Sequence, residues 1–165
     1  LLAPRHPERF DAVATLCAAR FPDLVRRSGA DRPRPSVVLL DSIGELAATY
    51  AQAAAAFIGG TLQATGGHNP IEAARFGVPV AVGPSMTNFR EIAEEFDRQR
   101  AWQRVETGEA LGDAWAAWLG DPAGARAVGE RGRALVTANA GALERTLALL
   151  APLIEAAREA SRGER

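Results

Sequence analysis

The sequence contains no lysine, because all 19 of its basic residues are arginine. It therefore lacks both a lysine that could form a Schiff base with a carbonyl substrate and the lysine of a phosphate-binding P-loop. Its one cysteine, Cys17, cannot form an internal disulfide, which is typical of a protein from a reducing compartment. No apolar run is longer than that of Ala53–Ile58, which is far too short to form a membrane-spanning helix.

The composition is that of a folded globular domain, since the 165 residues are 47% hydrophobic and 24% charged. The formal net charge of −1 gives no excess of positive charge that would predict a nucleic-acid surface. The only methionine is Met86, so Leu1 is not a translational start. We therefore expect the chain to be part of a longer polypeptide.

Short apolar runs alternate with segments of helical spacing along the chain. The expected strands are Leu1–Pro4, Val37–Leu40, Ala55–Ile58, Val80–Val82 and Trp102–Val105. The expected helices are Pro7–Arg20, Gly44–Gln52, Pro70–Phe76, Phe89–Arg98, Glu109–Leu119, Pro122–Asn139 and Leu143–Ser161. The segment Asp23–Arg34 is only weakly patterned and ends in the loop-like stretch Asp-Arg-Pro-Arg-Pro. This alternation predicts an α/β fold, in which helices flank both faces of a parallel sheet.

Three junctions between a strand and a helix share one pattern, a capping residue three positions before a glutamate. They are Ser42–Glu45, Asn69–Glu72 and Asn88–Glu91. The pattern is a capping box extended to asparagine, and Pro70 suits the first helical position. Many such patterns only start a helix. In a parallel sheet, however, helix starts lie at the carboxyl ends of strands, where exposed N–H groups favour an anion.

The segment Gly59–Pro70 contains two Gly-Gly pairs and leads directly into a predicted helix. It is either a mobile connector or a ligand-binding loop, and its position before a helix start favours the loop. His68 is either a ligand contact or a loop residue that bonds to backbone. Arg5 follows the first predicted strand and could pair with a phosphate.

Several other chemistries find no support in the sequence. There is no G-x-S-x-G around Ser42 and no G-x-G-x-x-G anywhere in the chain. The two histidines and the cysteine have no metal-ligand spacing, so we expect no metal site. The three tryptophans lack interleaved basic residues and are expected to pack against helices rather than to stack on nucleic acid.

Four blocks of sequence resemble one family, the 3-deoxy-D-manno-octulosonic acid (Kdo) transferases. The blocks are Ala3–Phe10, Asp41–Leu46, the glycine pairs through Asn69–Glu72, and Gly83-Pro84 with Asn88-Phe89, and they occur in the same order over nearly the whole chain. These enzymes use CMP-Kdo to glycosylate the lipid A precursor of Gram-negative bacteria. The sequence departs from the family at Ile43, where methionine is usual, and at Leu40, where glycine is common.

The resemblance implies the C-terminal, donor-binding half of a GT-B glycosyltransferase with a Rossmann-like sheet, lacking its first strand–helix unit. Residues 1–140 would form the CMP-Kdo-binding domain, and residues 141–165 would form its C-terminal helix. The N-terminal half would contribute the catalytic base, the lipid A precursor site and attachment to the cytoplasmic face of the inner membrane. We therefore expect no catalytic residue, metal or cofactor in this chain, and no activity from the chain alone.

The resemblance also assigns donor-binding residues by position. They are Pro4 and Arg5; Ile43, Gly44 and Glu45; and Asn69, Pro70, Ile71 and Glu72. Possible supporting residues are Ser42, Gly66, Gly67 and His68. Two alternatives stay open at this point. One is another GT-B protein that uses a UDP-sugar, such as a transferase or an epimerase, and the other is a nucleotide-binding module without catalytic activity.

Overall fold

The structure is a computed structural model that describes residues 1–29, 34–141 and 146–154. The chain divides into two compact units, Leu1–Ala53 and Ala54–Arg165. None of the helices in the described ranges has both the length and the apolar character that crossing a membrane requires.

The first unit is built on a small parallel sheet. Its elements are α1 (Phe10–Ala18, after a 3-10 turn at Pro7–Arg9), β1 (Val25–Arg26), β2 (Val38–Leu39) and α2 (Leu46–Tyr50). β1 pairs with β2, with Val25 opposite Val38. Leu2 forms a parallel bridge to Leu39. β2 therefore lies in the middle of the sheet, which explains why Leu39 is completely buried.

The strand β1 lies in the weakly patterned segment Asp23–Arg34, where the sequence predicted no strand. Two residues are too few to show the alternating pattern of a strand. Val25 and Arg26 are extended because β2 supplies their hydrogen-bond partners, and that pairing joins residues far apart in sequence. Residues 30–33 of this segment lie outside the described residues.

The second unit contains a three-stranded parallel sheet of order β3–β4–β5, made by Ala56–Phe57, Val80–Val82 and Gln103–Arg104. The central strand β4 is fully apolar and buried along its whole length, as expected for a parallel strand covered on both faces. The helices are α3 (Ile71–Ala74), α4 (Arg90–Arg98), α5 (Gly108–Gly120) and α6 (Pro122–Ala138). Residues 146–154 are also helical.

Packing in the second unit depends on close approach and on aromatic contact. The ring of Phe96 on α4 lies 5.0 Å from that of Trp102. On α6, a Cβ at Gly129 would lie 1.9 Å from the carbonyl oxygen of Gly77, so only glycine allows this helix to approach the turn after α3.

The structure confirms the α/β class, with parallel strands and flanking helices. Every predicted helix is present among the described residues, but α2 and α3 are shorter than the expected Gly44–Gln52 and Pro70–Phe76. Of the predicted helix Leu143–Ser161, the structure describes residues 146–154, and the rest lies outside the described residues.

Candidate functional site

The residues assigned to donor binding fall into two groups, one in each unit. The first unit holds Pro4, Arg5, Ser42, Ile43, Gly44 and Glu45, and the second holds Gly66, Gly67, His68, Asn69, Pro70, Ile71 and Glu72. Within the first unit, Pro4 and Arg5 follow Leu2, and the turn Ser42–Glu45 follows β2. Leu2 and β2 run parallel, so both groups of residues lie at the carboxyl ends of strands. This is the edge of a parallel sheet at which ligands bind in open α/β folds.

Glu45 is held by two neighbours rather than by its own helix. The Ser42 hydroxyl donates to Glu45 Oε1 at 2.7 Å, and Arg27 Nε donates to Oε2 at 3.0 Å. The Ser42 hydrogen bond, aided by the Arg27 charge, keeps the pKa of Glu45 below its ordinary value against the opposing effect of desolvation. The carboxylate therefore stays ionised and accepts hydrogen bonds only.

The predicted capping box at Ser42 is wrong. α2 begins at Leu46, and no side chain caps its first turn. Ser42 uses its hydroxyl on the Glu45 side chain instead, and Gly44 between them has a φ of +93°, which favours glycine. A Cβ at Gly44 would meet no atom of the described chain within 4 Å, and the side chain of Ile43 is 85% exposed. The turn thus presents open backbone and an exposed apolar side chain.

Asp41 fixes the end of β2, a role that the sequence reasoning did not assign. Its side chain is only 5% exposed, and it accepts hydrogen bonds from the Ser28 amide at 2.9 Å and the Ser28 hydroxyl at 2.5 Å. Chiefly through that hydroxyl, Ser28 lowers the pKa of Asp41 although desolvation acts in the opposite direction. Ser28 and Asp41, which each lie two residues past the end of their strand, are therefore joined just before the Ser42–Glu45 turn.

In the second unit, the glycine-rich segment Gly59–Pro70 is bound to itself and to the chain after β4. Thr61 is completely buried; its hydroxyl donates to the Ile58 carbonyl at 2.6 Å and accepts from the Gly83 amide at 2.7 Å. The Gly67 amide donates to the Gly60 carbonyl at 2.9 Å, which closes the loop. These contacts argue against the mobile-connector interpretation.

The two glycines at the end of this loop are buried by the protein itself. Gly66 and Gly67 have φ values of +86° and +76°, and a Cβ at Gly67 would lie 2.7 Å from the Met86 sulfur. Asn88 was predicted to cap a helix, and that prediction is wrong. Its side chain donates to the carbonyls of Thr65 and Gly67, while α4 begins at Arg90 without a side-chain cap.

The segment after the loop carries the remaining assigned residues. Asn69 Oδ1 accepts from the Ile71 amide at 3.0 Å, but α3 begins at Ile71 with Pro70 as its N-cap and no side-chain cap, so the predicted capping box at Asn69 is wrong. Pro70 is buried, whereas Asn69 and Glu72 are exposed at the start of α3. His68 is half-buried beside Gly60, whose Cβ would lie 3.4 Å from His68 Nε2.

Within the described ranges, no group of three or more histidine, cysteine, aspartate or glutamate side chains could hold a metal ion. Among the assigned residues, Arg5 and Glu45 carry charge on the first unit and Glu72 carries charge on the second. A guanidinium can bind a phosphate, and a carboxylate can accept hydrogen bonds from hydroxyl groups.

Comparison with known proteins identifies relatives over most of the chain, although no family model matches it. The chain is 39% identical over 158 residues to a 3-deoxy-D-manno-octulosonic acid transferase of Haemophilus influenzae. The matched residues cover 94% of the chain and 37% of that protein. It is 41% identical over 150 residues to the enzyme of the same name from Bordetella pertussis, covering 89% of the chain and 35% of that protein. The chain thus spans little more than a third of these curated relatives.

Among solved structures, the chain resembles the C-terminal CMP-Kdo binding domain of WaaA from Acinetobacter baumannii. The TM-score is 0.75 at 34% identity, and the match covers 81% of this chain and 70% of that one. Fold and comparison together define the class, the C-terminal half of a GT-B glycosyltransferase. The chain belongs to the family of the 3-deoxy-D-manno-octulosonic acid (Kdo) transferases, which confirms the resemblance seen in the sequence.

Proposed function

We propose that this chain is the donor-binding part of a Kdo transferase and binds CMP-Kdo. The observation that carries the proposal is its likeness, at 34% identity and a TM-score of 0.75, to a domain described as binding CMP-Kdo. In this proposal residues 1–140 form the donor-binding domain and residues 141–165 its C-terminal helix. Of the latter, the structure describes 141 and 146–154.

The assigned side chains suit a ligand that has both anionic groups and hydroxyls. Arg5 is exposed after the first strand position, and a guanidinium binds phosphate or carboxylate through charge-assisted hydrogen bonds. Glu45 and Glu72 are acceptors suited to sugar hydroxyls, and the Arg27 partner offsets the charge of Glu45 near a phosphate. We assign Pro4, Ile43, Gly44, Asn69, Pro70 and Ile71 to the same ligand, with Ser42, Gly66, Gly67 and His68 in support.

In the proposed reaction, a hydroxyl of the lipid A precursor attacks the anomeric carbon of Kdo, and CMP leaves with the bonding electrons. The donor part stabilises the negative charge on the departing phosphate. We place the general base, the acceptor site and the attachment to the cytoplasmic face of the inner membrane in a part of the protein other than these 165 residues. The chain alone then supplies donor recognition without turnover.

A calorimetric titration of the chain with CMP tests the proposal. Arg5→Ala and Glu72→Ala should each weaken CMP binding by about tenfold or more, because each removes a hydrogen bond to or from a charged group. Arg126→Ala and Glu106→Ala are matched controls, since both residues are exposed and neither is assigned to the site. Failure of CMP to bind, or tighter binding of UDP than of CMP, would contradict the proposal.

A further inference from the structure

We propose that Asn88 is a positioning residue for donor binding, because it fixes the backbone of residues 65–67 from which the Asn69–Glu72 segment continues. The inference rests on the proposed function, since it concerns the shape of the same nucleotide site. Asn88 itself lies after β4, more than 15 residues downstream of that segment in sequence, and it is not among the residues assigned to the ligand.

One residue binds three successive carbonyl groups of the loop. Asn88 Nδ2 lies 3.4 Å from the Thr65 carbonyl oxygen and 3.3 Å from that of Gly67, and the Asn88 amide donates to the Gly66 carbonyl at 3.1 Å. Ser85, three residues before Asn88, accepts a hydrogen bond from the Gly66 amide at 3.0 Å. The amide and the carbonyl of Gly66 are therefore both hydrogen-bonded to the short segment Ser85–Asn88.

The side chain of Asn88 also fills the space that a side chain at position 66 would occupy. A Cβ at Gly66 would lie 2.5 Å from both Nδ2 and Oδ1 of Asn88, and Gly66 has a φ of +86°. The two residues are thus fitted to each other in shape as well as in hydrogen bonding. This explains one of the glycines in the loop without any ligand contact.

The fixed loop matters for the ligand because it determines where the start of α3 lies, whereas the end of α3 is held by the burial of Ala73 and Ala74. α3 has only four residues, and so short a helix is not stable by itself. Only His68 separates Gly67 from Asn69, so any movement of Gly67 is passed directly to Asn69 and to the start of α3. A loop that is already ordered spares the entropy of ordering on binding, which raises affinity.

The position of Asn88 makes a test of this role practical. The residue is exposed, and the buried side chains of β4 do not depend on it, so we expect its variants to fold. Asn88→Asp keeps the shape and replaces two N–H donors by an acceptor that faces two carbonyls. Asn139→Asp is a matched control, because Asn139 Nδ2 donates to the Leu135 carbonyl at 2.9 Å at the end of α6.

The experiment measures CMP affinity by calorimetry, well below the melting temperature of each variant, and amide hydrogen exchange at residues 65–69. At that temperature, a loss of global stability alone leaves the affinity unchanged. Asn88→Asp should weaken CMP binding by about tenfold and speed exchange at the Gly66 and Gly67 amides, whereas Asn139→Asp should do neither. Ser85→Ala, which removes the acceptor for the Gly66 amide, should weaken binding in the same direction.

The outcomes separate this inference from the proposed function. If the unmodified chain does not bind CMP, both are overturned. If it binds CMP and Asn88→Asp binds within about twofold of it, the positioning role is overturned and the proposed function stands. If Asn88→Asp fails to fold, Ser85→Ala decides by the same criterion, with unchanged affinity overturning the role.

Discussion

Replacing Thr61 with valine keeps the shape of a completely buried side chain and removes its hydroxyl. That hydroxyl connects the Gly83 amide, at 2.7 Å, to the Ile58 carbonyl, at 2.6 Å. The chain after β3 and the chain after β4 are therefore joined through one oxygen atom. The Thr61 carbonyl also accepts from the Ser85 amide at 2.9 Å, but this bond involves backbone and survives the substitution.

The expected cost follows from the two groups that valine leaves without a partner. An unsatisfied buried donor or acceptor costs about 1–3 kcal/mol, so Thr61→Val should lower the free energy of unfolding by about 2–4 kcal/mol. Thr61→Ser keeps the hydroxyl and removes one methyl group, which should cost about 1 kcal/mol. The sharper prediction is that Thr61→Val is less stable than Thr61→Ser, because hydrophobicity alone would make the valine variant the more stable one.

Urea unfolding followed by tryptophan fluorescence measures this difference. Trp102, Trp115 and Trp118 all belong to the unit Ala54–Arg165, so the signal reports the unit that contains Thr61. With an unfolding slope of about 1–3 kcal/mol per molar urea, the midpoint for Thr61→Val should fall by roughly 1 M or more. A Thr61→Val protein as stable as Thr61→Ser would refute the assignment of that hydroxyl as a bridging group.

Two further predictions concern a close helix contact and a buried carboxylate. Gly129→Ala should lower the free energy of unfolding by about 1–3 kcal/mol, because its Cβ would lie 1.9 Å from the Gly77 oxygen. Gly112→Ala on α5, where a Cβ meets nothing within 4 Å, should raise the free energy of unfolding by about 0.5–1 kcal/mol. If urea unfolding gives the two variants the same change in stability, the close packing at Gly129 is contradicted. The pKa of Asp41 is lower in the folded chain than in the unfolded chain, so the ionised carboxylate stabilises the fold. This stabilisation is fully present at pH values above the pKa of the unfolded chain, and it is lost as the pH falls through the pKa of the folded chain. NMR titration of the Asp41 carboxyl should give a pKa below the ordinary value of an aspartate, and this pKa should rise in Ser28→Ala. An ordinary pKa would count against the buried hydrogen bonds.

Local sequence patterns predicted the elements that depend on local or strongly apolar sequence. The run Val80–Val82 is a strand as predicted, because a central parallel strand is apolar at every position. α4 and α6 also lie within one residue of their predicted bounds. β1 was missed because its extended form is imposed by pairing with β2 and not by its own two residues.

The capping patterns show where local reasoning fails. Asn69 accepts a hydrogen bond from the Ile71 amide two residues away, but Pro70 is the N-cap of α3 and no side chain caps that helix. Ser42 has the same pattern, yet Glu45 is also bound by Arg27, whose position near the turn depends on the sheet. Asn88 binds carbonyl groups more than 20 residues away in sequence. No spacing rule could have found those partners.

The candidate site residues came from the resemblance, whereas the residues that hold them came only from the structure. Arg27, Ser28 and Thr61 carry no recognisable motif, and each acts on a group 13 or more residues away. Asp41 follows a buried strand, which is a position that favours a functional carboxylate, and this was the one signal that could have drawn attention to its environment.

The glycines of α6 have a consequence for how the second unit folds. Each glycine within a helix costs about 1 kcal/mol relative to alanine, and α6 contains Gly124, Gly129 and Gly132. A separate peptide with this sequence would be largely unwound in water, because its helical propensity is poor. Gly129 and Gly132 are buried against the Gly77 backbone and beside Ala74, so the helical form is acquired through that contact. We therefore expect α6 and the end of α3 to unfold together, as one cooperative unit.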